Sequence, residues 1–216
     1  MNIKKIYGIH NCIASIFFHR LFFLVVLIGI VCVLYCKNPF STREAETPNI
    51  GRSDWFPPTS PSVVLANLRN AIQGKNANNY LKCLADTSTT SRAFIFTPDQ
   101  SVANNNPGFF NNWTTDSEGN YIRQIFSVVP DDSVRKLELV TISENSYPDS
   151  AIFVQNYTLQ FDHTLIDTEY PRLAEGQVEF LIVPNLQTGY WYIQRWVDTG
   201  VSENPTWSHY KVIFGK

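Results

Sequence analysis

Three side chains in this sequence have types and positions suited to a binding site. Gln155 stands between Phe153 and Tyr157, and Arg195 between Ile193 and Val197, in two segments whose alternate residues are otherwise apolar. Ligand pockets are apolar walls set with a few hydrogen-bonding groups, so Gln155, Tyr157 and Arg195 are the candidate ligand-binding residues. A plainer alternative stays open, in which these polar groups pair across a sheet or leave at its edge, because buried polar groups find partners. Metal chemistry has little to work with. Beyond the N-terminal segment the histidines are His163 and His209, the cysteine is Cys83, and no ligand spacing joins them. No metal and no cofactor is expected. Cys83 lies in the helical-looking apolar stretch Tyr80-Leu81-Lys82-Cys83-Leu84, which reads as a packed thiol rather than an activated nucleophile. No catalytic residue can be assigned from types and spacing.

Composition narrows the partners. Hydrophobic residues make up 44% and aromatics 14%, enough to fill a core. Three of the 17 basic residues precede Lys37, leaving 14 against 19 acidic ones for the rest of the chain. Nucleic acid is therefore not an expected partner, since phosphate binding needs a concentrated basic face and the nearest candidate is the pair Arg135-Lys136.

The N-terminus carries an address. Lys4, Lys5 and Arg20 precede the apolar run Leu21 to Leu34, which is long for a signal-peptide core and short of the ~20 residues a spanning helix prefers. Positive charge ahead of the run orients the remainder outside the cytoplasm. Cys36 directly follows, and Val33-Leu34-Tyr35-Cys36 resembles a bacterial lipoprotein processing site, with Tyr35 departing from the small residue that pattern wants. Two readings stay open: Cys36 as a lipid anchor, or an uncleaved signal anchor with Cys36 at the interface. Both predict residues 1–36 as signal peptide or anchor and a domain tethered in the cell envelope, with residues 37–60 as a polar, proline-containing tether. Trp55-Phe56 in that tether is expected to dock on the domain.

The elements that must position the candidates lie in residues 61–216, read as a single domain. Ser60-Pro61 opens an amphipathic helix carrying Val64, Leu65, Leu68, Ala71 and Ile72. A second short helix is expected over Ala77 to Ala85, a strand over Ala93 to Pro98, a loop at Asn104 to Gly108 and a third helix over Ser117 to Val129. Four strands follow, Val134 to Ile142, Ala151 to Asp162, Gly176 to Val183 and Tyr190 to Asp198, predicting an antiparallel sheet. Phe109, Phe110 and Trp113 are expected to pack on the core, with a lid as the alternative.

Two helices broken by Gly74-Lys75-Asn76, a short strand, a third helix and four strands ending in Trp191-Tyr192-Ile193-Gln194-Arg195-Trp196-Val197-Asp198 resemble the NTF2-like superfamily. The resemblance covers about Pro61 to Asp198. It implies an α+β fold, with N-terminal helices packed on a strongly curved antiparallel sheet to make a cone. It also implies a range of roles, from isomerases and cyclases to small-ligand and protein binders. The expectation is a non-catalytic domain binding an envelope protein or a small apolar ligand. The alternative is an isomerase- or cyclase-like enzyme with a buried carboxylate in the cone. A homodimer through the sheet is a further expectation.

Overall fold

Proline at the first helical position and apolar residues at three- and four-residue spacing produce α1, Pro61–Gln73, which buries Val64, Leu65, Leu68, Ala71 and Ile72. The structure, a computed structural model, describes residues 55–90, 92–166 and 170–216. The expectations for Leu21 to Leu34 and for Cys36 lie outside the described residues, as does most of the tether. Among the described residues no helix is long and apolar enough to cross a membrane. Of the last residues of the tether, Trp55 packs on the domain and Phe56 is held by its backbone, while the Phe56 ring stays 55% exposed, contrary to the expectation for the pair. Asn67 on α1 accepts from the Phe56 amide at 3.0 Å and donates to the Phe56 carbonyl at 2.7 Å, and Trp55 lies under the Lys82 ammonium.

After α1, Lys75 adopts the left-handed conformation at φ 54, and Asn76 accepts from the Asn79 amide to start α2, Ala77–Lys82. This helix stops before Ala85. Leu84 instead pairs with Ile193, the Ala85 amide donating to Ile193 and the Ile193 amide to Cys83, so the sheet captures backbone that the pattern alone assigns to a helix. One turn, α3 (Thr87–Thr90), leads to β1 (Ile95–Thr97). The segment read as a loop begins inside α4, Gln100–Asn105, whose first turn Asp99 caps by accepting from Val102. Then come α5 (Thr115–Val128), β2 (Arg135–Tyr147), β3 (Ser150–Phe161), β4 (Leu173–Pro184) and β5 (Trp191–Thr199). The chain closes with α6, Trp207–Phe214, which the sequence analysis did not anticipate.

The sheet runs β1-β5-β4-β3-β2. Its four long strands are antiparallel as expected, and β1 adds to the β5 edge in parallel, making the sheet mixed. On β3 the alternation predicted from sequence holds: Ala151, Phe153, Gln155, Tyr157, Leu159 and Phe161 all point into the core. Two bulges, where Ile142 and Gln194 are inserted into the ladders, bend the strands and strengthen their twist. Helices cover the inner face, and α6 sits between α5 and β4. The result is the α+β arrangement of helices on a largely antiparallel sheet implied by the NTF2-like resemblance.

Candidate functional site

The structure separates the three candidate ligand-binding residues. Gln155 and Tyr157 share the inner face of β3, where Gln155 donates to Thr141 Oγ1 at 2.8 Å and its Oε1 has no partner among the described residues. Arg195 lies on the opposite face. The bulge at Gln194 shifts the phase of β5, so Ile193, Trp196 and Asp198 point inward, while Arg195 points outward beside Leu181 and bonds Glu179 Oε1 at 2.7 Å. Strict alternation had put Arg195 on the same face as Ile193, and one inserted residue reverses that.

Cys83 is buried, donates to the Asn79 carbonyl and has its thiol pushed far above the ordinary range by burial. His163 packs against Tyr170 and Phe214, with Nε2 at 3.2 Å from the Pro171 carbonyl. His209 accepts from the Thr206 amide at the start of α6, and burial lowers its pKa. Each belongs to a different element with its own partners, and no cluster of metal-ligating side chains occurs among the described residues. Phe109, Phe110 and Trp113 form one aromatic cluster with Phe96, centroids 4.9 to 6.1 Å apart, packed on the core.

The inner face of the sheet holds two polar clusters instead, both built on α6. In the first, Lys211 and Glu118 form an ion pair in which both side chains have 0% exposure. Glu118 also accepts from Trp113 Nε1 at 2.6 Å and from the Tyr80 hydroxyl at 2.9 Å. The Lys211 ammonium lies 4.0 Å from the centre of the Phe96 ring and 4.4 Å from that of Trp196, so the part of its charge not facing Glu118 faces aromatic quadrupoles. Burial lowers the Lys211 pKa, and Glu118 opposes that shift.

In the second cluster, Asp198 near the end of β5 accepts from the Ser208 amide at 2.7 Å, the Ser208 hydroxyl at 2.5 Å and the Tyr157 hydroxyl at 2.8 Å. Tyr157 in turn accepts from the Trp207 amide at 2.7 Å, and Trp207 Nε1 donates to the Tyr121 hydroxyl at 3.0 Å. Glycine is required opposite: a Cβ on Gly176 would stand 2.7 Å from the Tyr157 hydroxyl and 2.7 Å from the Thr199 carbonyl. Burial pushes the Asp198 carboxyl above the usual carboxylate range, against the pull of its Ser208 and Tyr157 hydrogen bonds and of Lys211.

Glu118, Asp198, Ser208 and Lys211 are the residues that sequence reasoning missed. The one usable signal was a helical face: Trp207, Tyr210, Lys211 and Phe214 recur at three- and four-residue spacing after Pro205-Thr206. A lysine on that face reads as solvated until its partner is located.

No protein-family model matches the chain, and no curated protein does. Solved structures do. It is similar to an NTF-2-like protein of unknown function from Shewanella oneidensis, at 13% identity and TM-score 0.44, over 63% of this chain and 93% of that one. A conserved protein from Planctomyces limnophilus matches at 9% identity and TM-score 0.47, over 64% of this chain and 91% of that one. A ketosteroid isomerase-like protein from Erwinia carotovora matches at 17% identity and TM-score 0.40, over 65% and 93% of the two chains. Likenesses at these scores assign neither residues nor an activity to this chain.

Lys211→Met leaves the Glu118 carboxylate buried without its counter-charge and costs about 3–5 kcal/mol of stability, whereas Lys211→Met with Glu118→Gln recovers part of that loss. Urea unfolding of the two single variants and the double variant reads the coupling. For Asp198, the folded pKa lies above the unfolded value of about 3.9, so the folded state holds the proton more tightly. Its contribution to stability is complete below about pH 4 and is lost as pH rises through the raised value. Urea midpoints of the wild type and of Asp198→Asn, measured from pH 3.5 to 7, isolate this component: the difference between wild type and variant falls as pH rises through the window.

Proposed function

We propose that this chain is a domain held outside the cytoplasm on a membrane by its N-terminus, and that it is a non-catalytic binding module whose cone is closed by its own C-terminal helix. The observation supporting it is α6 itself. Trp207, Tyr210 and Lys211 are fully buried against Trp196, Tyr157, Phe161 and Phe96 of the inner face. Both interior acids accept hydrogen bonds from donors of the fold. A general base must reach a substrate proton within roughly 2.6–3.2 Å, and around Glu118 and Asp198 that space holds Trp113, Tyr80, Tyr157 and Ser208. Recognition of a partner then belongs to the outer surface. The membrane address rests on Lys4, Lys5, the run Leu21 to Leu34 and Cys36.

One observation favours a second reading, an isomerase- or cyclase-like activity or the binding of a small apolar ligand inside the cone. Asp198, its carboxyl pushed up by burial, shares a hydrogen bond with Tyr157, and the Oε1 of Gln155, without a partner among the described residues, lies on the same face. A carboxyl and a hydroxyl inside an apolar site are the equipment of proton transfer beside a carbonyl. This reading requires α6 to leave.

Hydrogen exchange distinguishes the two. In the closed-cone reading the amides of Trp207 and Ser208 exchange only through global unfolding, with the same free energy as the core strands. Exchange several kcal/mol easier than the core would overturn it in favour of an opening cone. The address is read from the intact mass of the membrane-extracted protein. A mass starting at Cys36 with acyl chains identifies a lipid anchor, a full-length mass a signal anchor, and an unacylated mass starting beyond Leu34 removes the tether.

A further inference from the structure

Between the last turn of α1 and the start of β2 lies a cavity of about 570 Å³. Among the described residues its wall carries no carboxylate: Arg69, Arg135 and Lys136 line it together with Asn70, Gln73, Ser133 and the apolar Val134 and Leu137. That is unexpected on a chain of formal net charge −2, and the disposition of the three cations is specific. Arg135 is fixed by its own fold, Nε donating to the Gln73 carbonyl at 3.0 Å and Nη1 to the carbonyls of Pro130 and Asp131 at 2.8 and 2.9 Å. Its Nη2 makes no hydrogen bond among the described residues. Arg69, exposed on α1, makes neither a hydrogen bond nor an ion pair among them. Lys136 pairs with Glu138 at 2.5 Å, but both side chains are more than half exposed, so the pair is weak and exchanges easily.

Of the two acidic residues that precede Ser133, Asp132 is exposed and makes no ion pair among the described residues, so its charge opposes an anion across solvent. Asp131 is held by Lys75 at 2.7 Å. The carbonyls at the C-terminal end of α1, which would repel an anion, accept from the amides of Gly74, Lys75 and Asn76 and from Arg135 Nε. The cavity lining thus brings the Arg69 and Arg135 side chains together with amide and hydroxyl residues, while Lys136, which also lines it, keeps its ammonium on Glu138. Guanidinium forks match tetrahedral oxyanions in shape and donor number. The volume far exceeds what a bare phosphate fills and lies in the range of organic ligands.

We propose that this cavity binds a phosphoester, its phosphate held between Arg69 and Arg135 with Lys136 in support. The site lies apart from the cone and stands whether or not α6 opens. The phosphoester has two sources, the headgroup of an anionic lipid or a soluble phosphorylated compound, and one chemistry serves both.

The test uses the full chain in micelles of a neutral detergent. It is titrated with inorganic phosphate and with glycerol 1-phosphate at constant ionic strength, following the thermal midpoint. Both ligands raise the midpoint, glycerol 1-phosphate at the lower concentration. Arg69→Ala weakens glycerol 1-phosphate binding about tenfold to hundredfold, and Arg69→Lys weakens it less. Arg69 is exposed and helical, so its alanine variant folds. The source is read after reconstitution into phosphatidylcholine bilayers with or without phosphatidylglycerol. If the lipid headgroup is the ligand, phosphatidylglycerol raises the apparent Kd for glycerol 1-phosphate in the wild type. An unchanged Kd assigns the site to soluble phosphoesters. The proposal is overturned if phosphate acts no differently from chloride at equal ionic strength, or if Arg69→Ala binds as the wild type does.

Discussion

An ammonium group is tolerated in an apolar interior only where an opposite charge and further polar or aromatic partners surround it, and Lys211 imposes that condition on most of the domain. Its carboxylate partner Glu118 comes from the first turn of α5, which is held at its start by Ser117 Oγ accepting from the Thr114 amide. The remaining lone pairs of Glu118 are met by Trp113, just ahead of that helix, and by Tyr80 of α2. The two rings nearest the ammonium belong to β1 and β5. One pair thus ties three helices to the far edge of the sheet. Such a pair adds little net stability compared with apolar packing. It does favour a single docking register for α6, because a shift of one residue would move Lys211 away from Glu118.

An eight-residue helix is far too short to persist by its own propensity, so α6 exists because it is held at both polar clusters. Asp198, Tyr157 and Asp99 meet its first turn, the last through the Asp99 amide donating to Ser208 Oγ at 2.9 Å. Trp207 packs edge-on against Trp196 with ring centres 4.4 Å apart. Glu118, Asp198 and Tyr157 spend their hydrogen bonds on partners within the fold, while Arg69 and Arg135 line a cavity between the end of α1 and the start of β2. Inside the domain, polarity holds the fold together.

Much of the domain was legible in the amino-acid sequence. The spacing of Val64, Leu65, Leu68, Ala71 and Ile72 determines α1, and the alternation from Phe153 to Phe161 determines both β3 and its buried face. The fold class came from the resemblance carried by the order of the elements and the docking of Trp55 from an aromatic residue in a polar tether, while the four long strands follow from the same local signals as α1 and β3. These are periodicities, set by the geometry of a single element and carried by neighbouring residues. They also placed Gln155 and Tyr157 on one face.

What only the tertiary structure decided is where those periodicities are interrupted and which charges are buried. The extra residue at Gln194 turned Arg195 outward, and the pairing of Leu84 with Ile193 ended α2 early. Lys211, polar by type, became a core residue because Glu118, distant in sequence, lies within its reach. Strand register, bulges and buried ion pairs are energies of contacts between distant segments, and no local window contains both partners. The sequence by itself therefore determined α1, α5 and the long strands with the inward face of β3, while α6, the early end of α2, the burial of Lys211 with Glu118 and the placing of Arg69 and Arg135 on one cavity emerged only when the chain was folded.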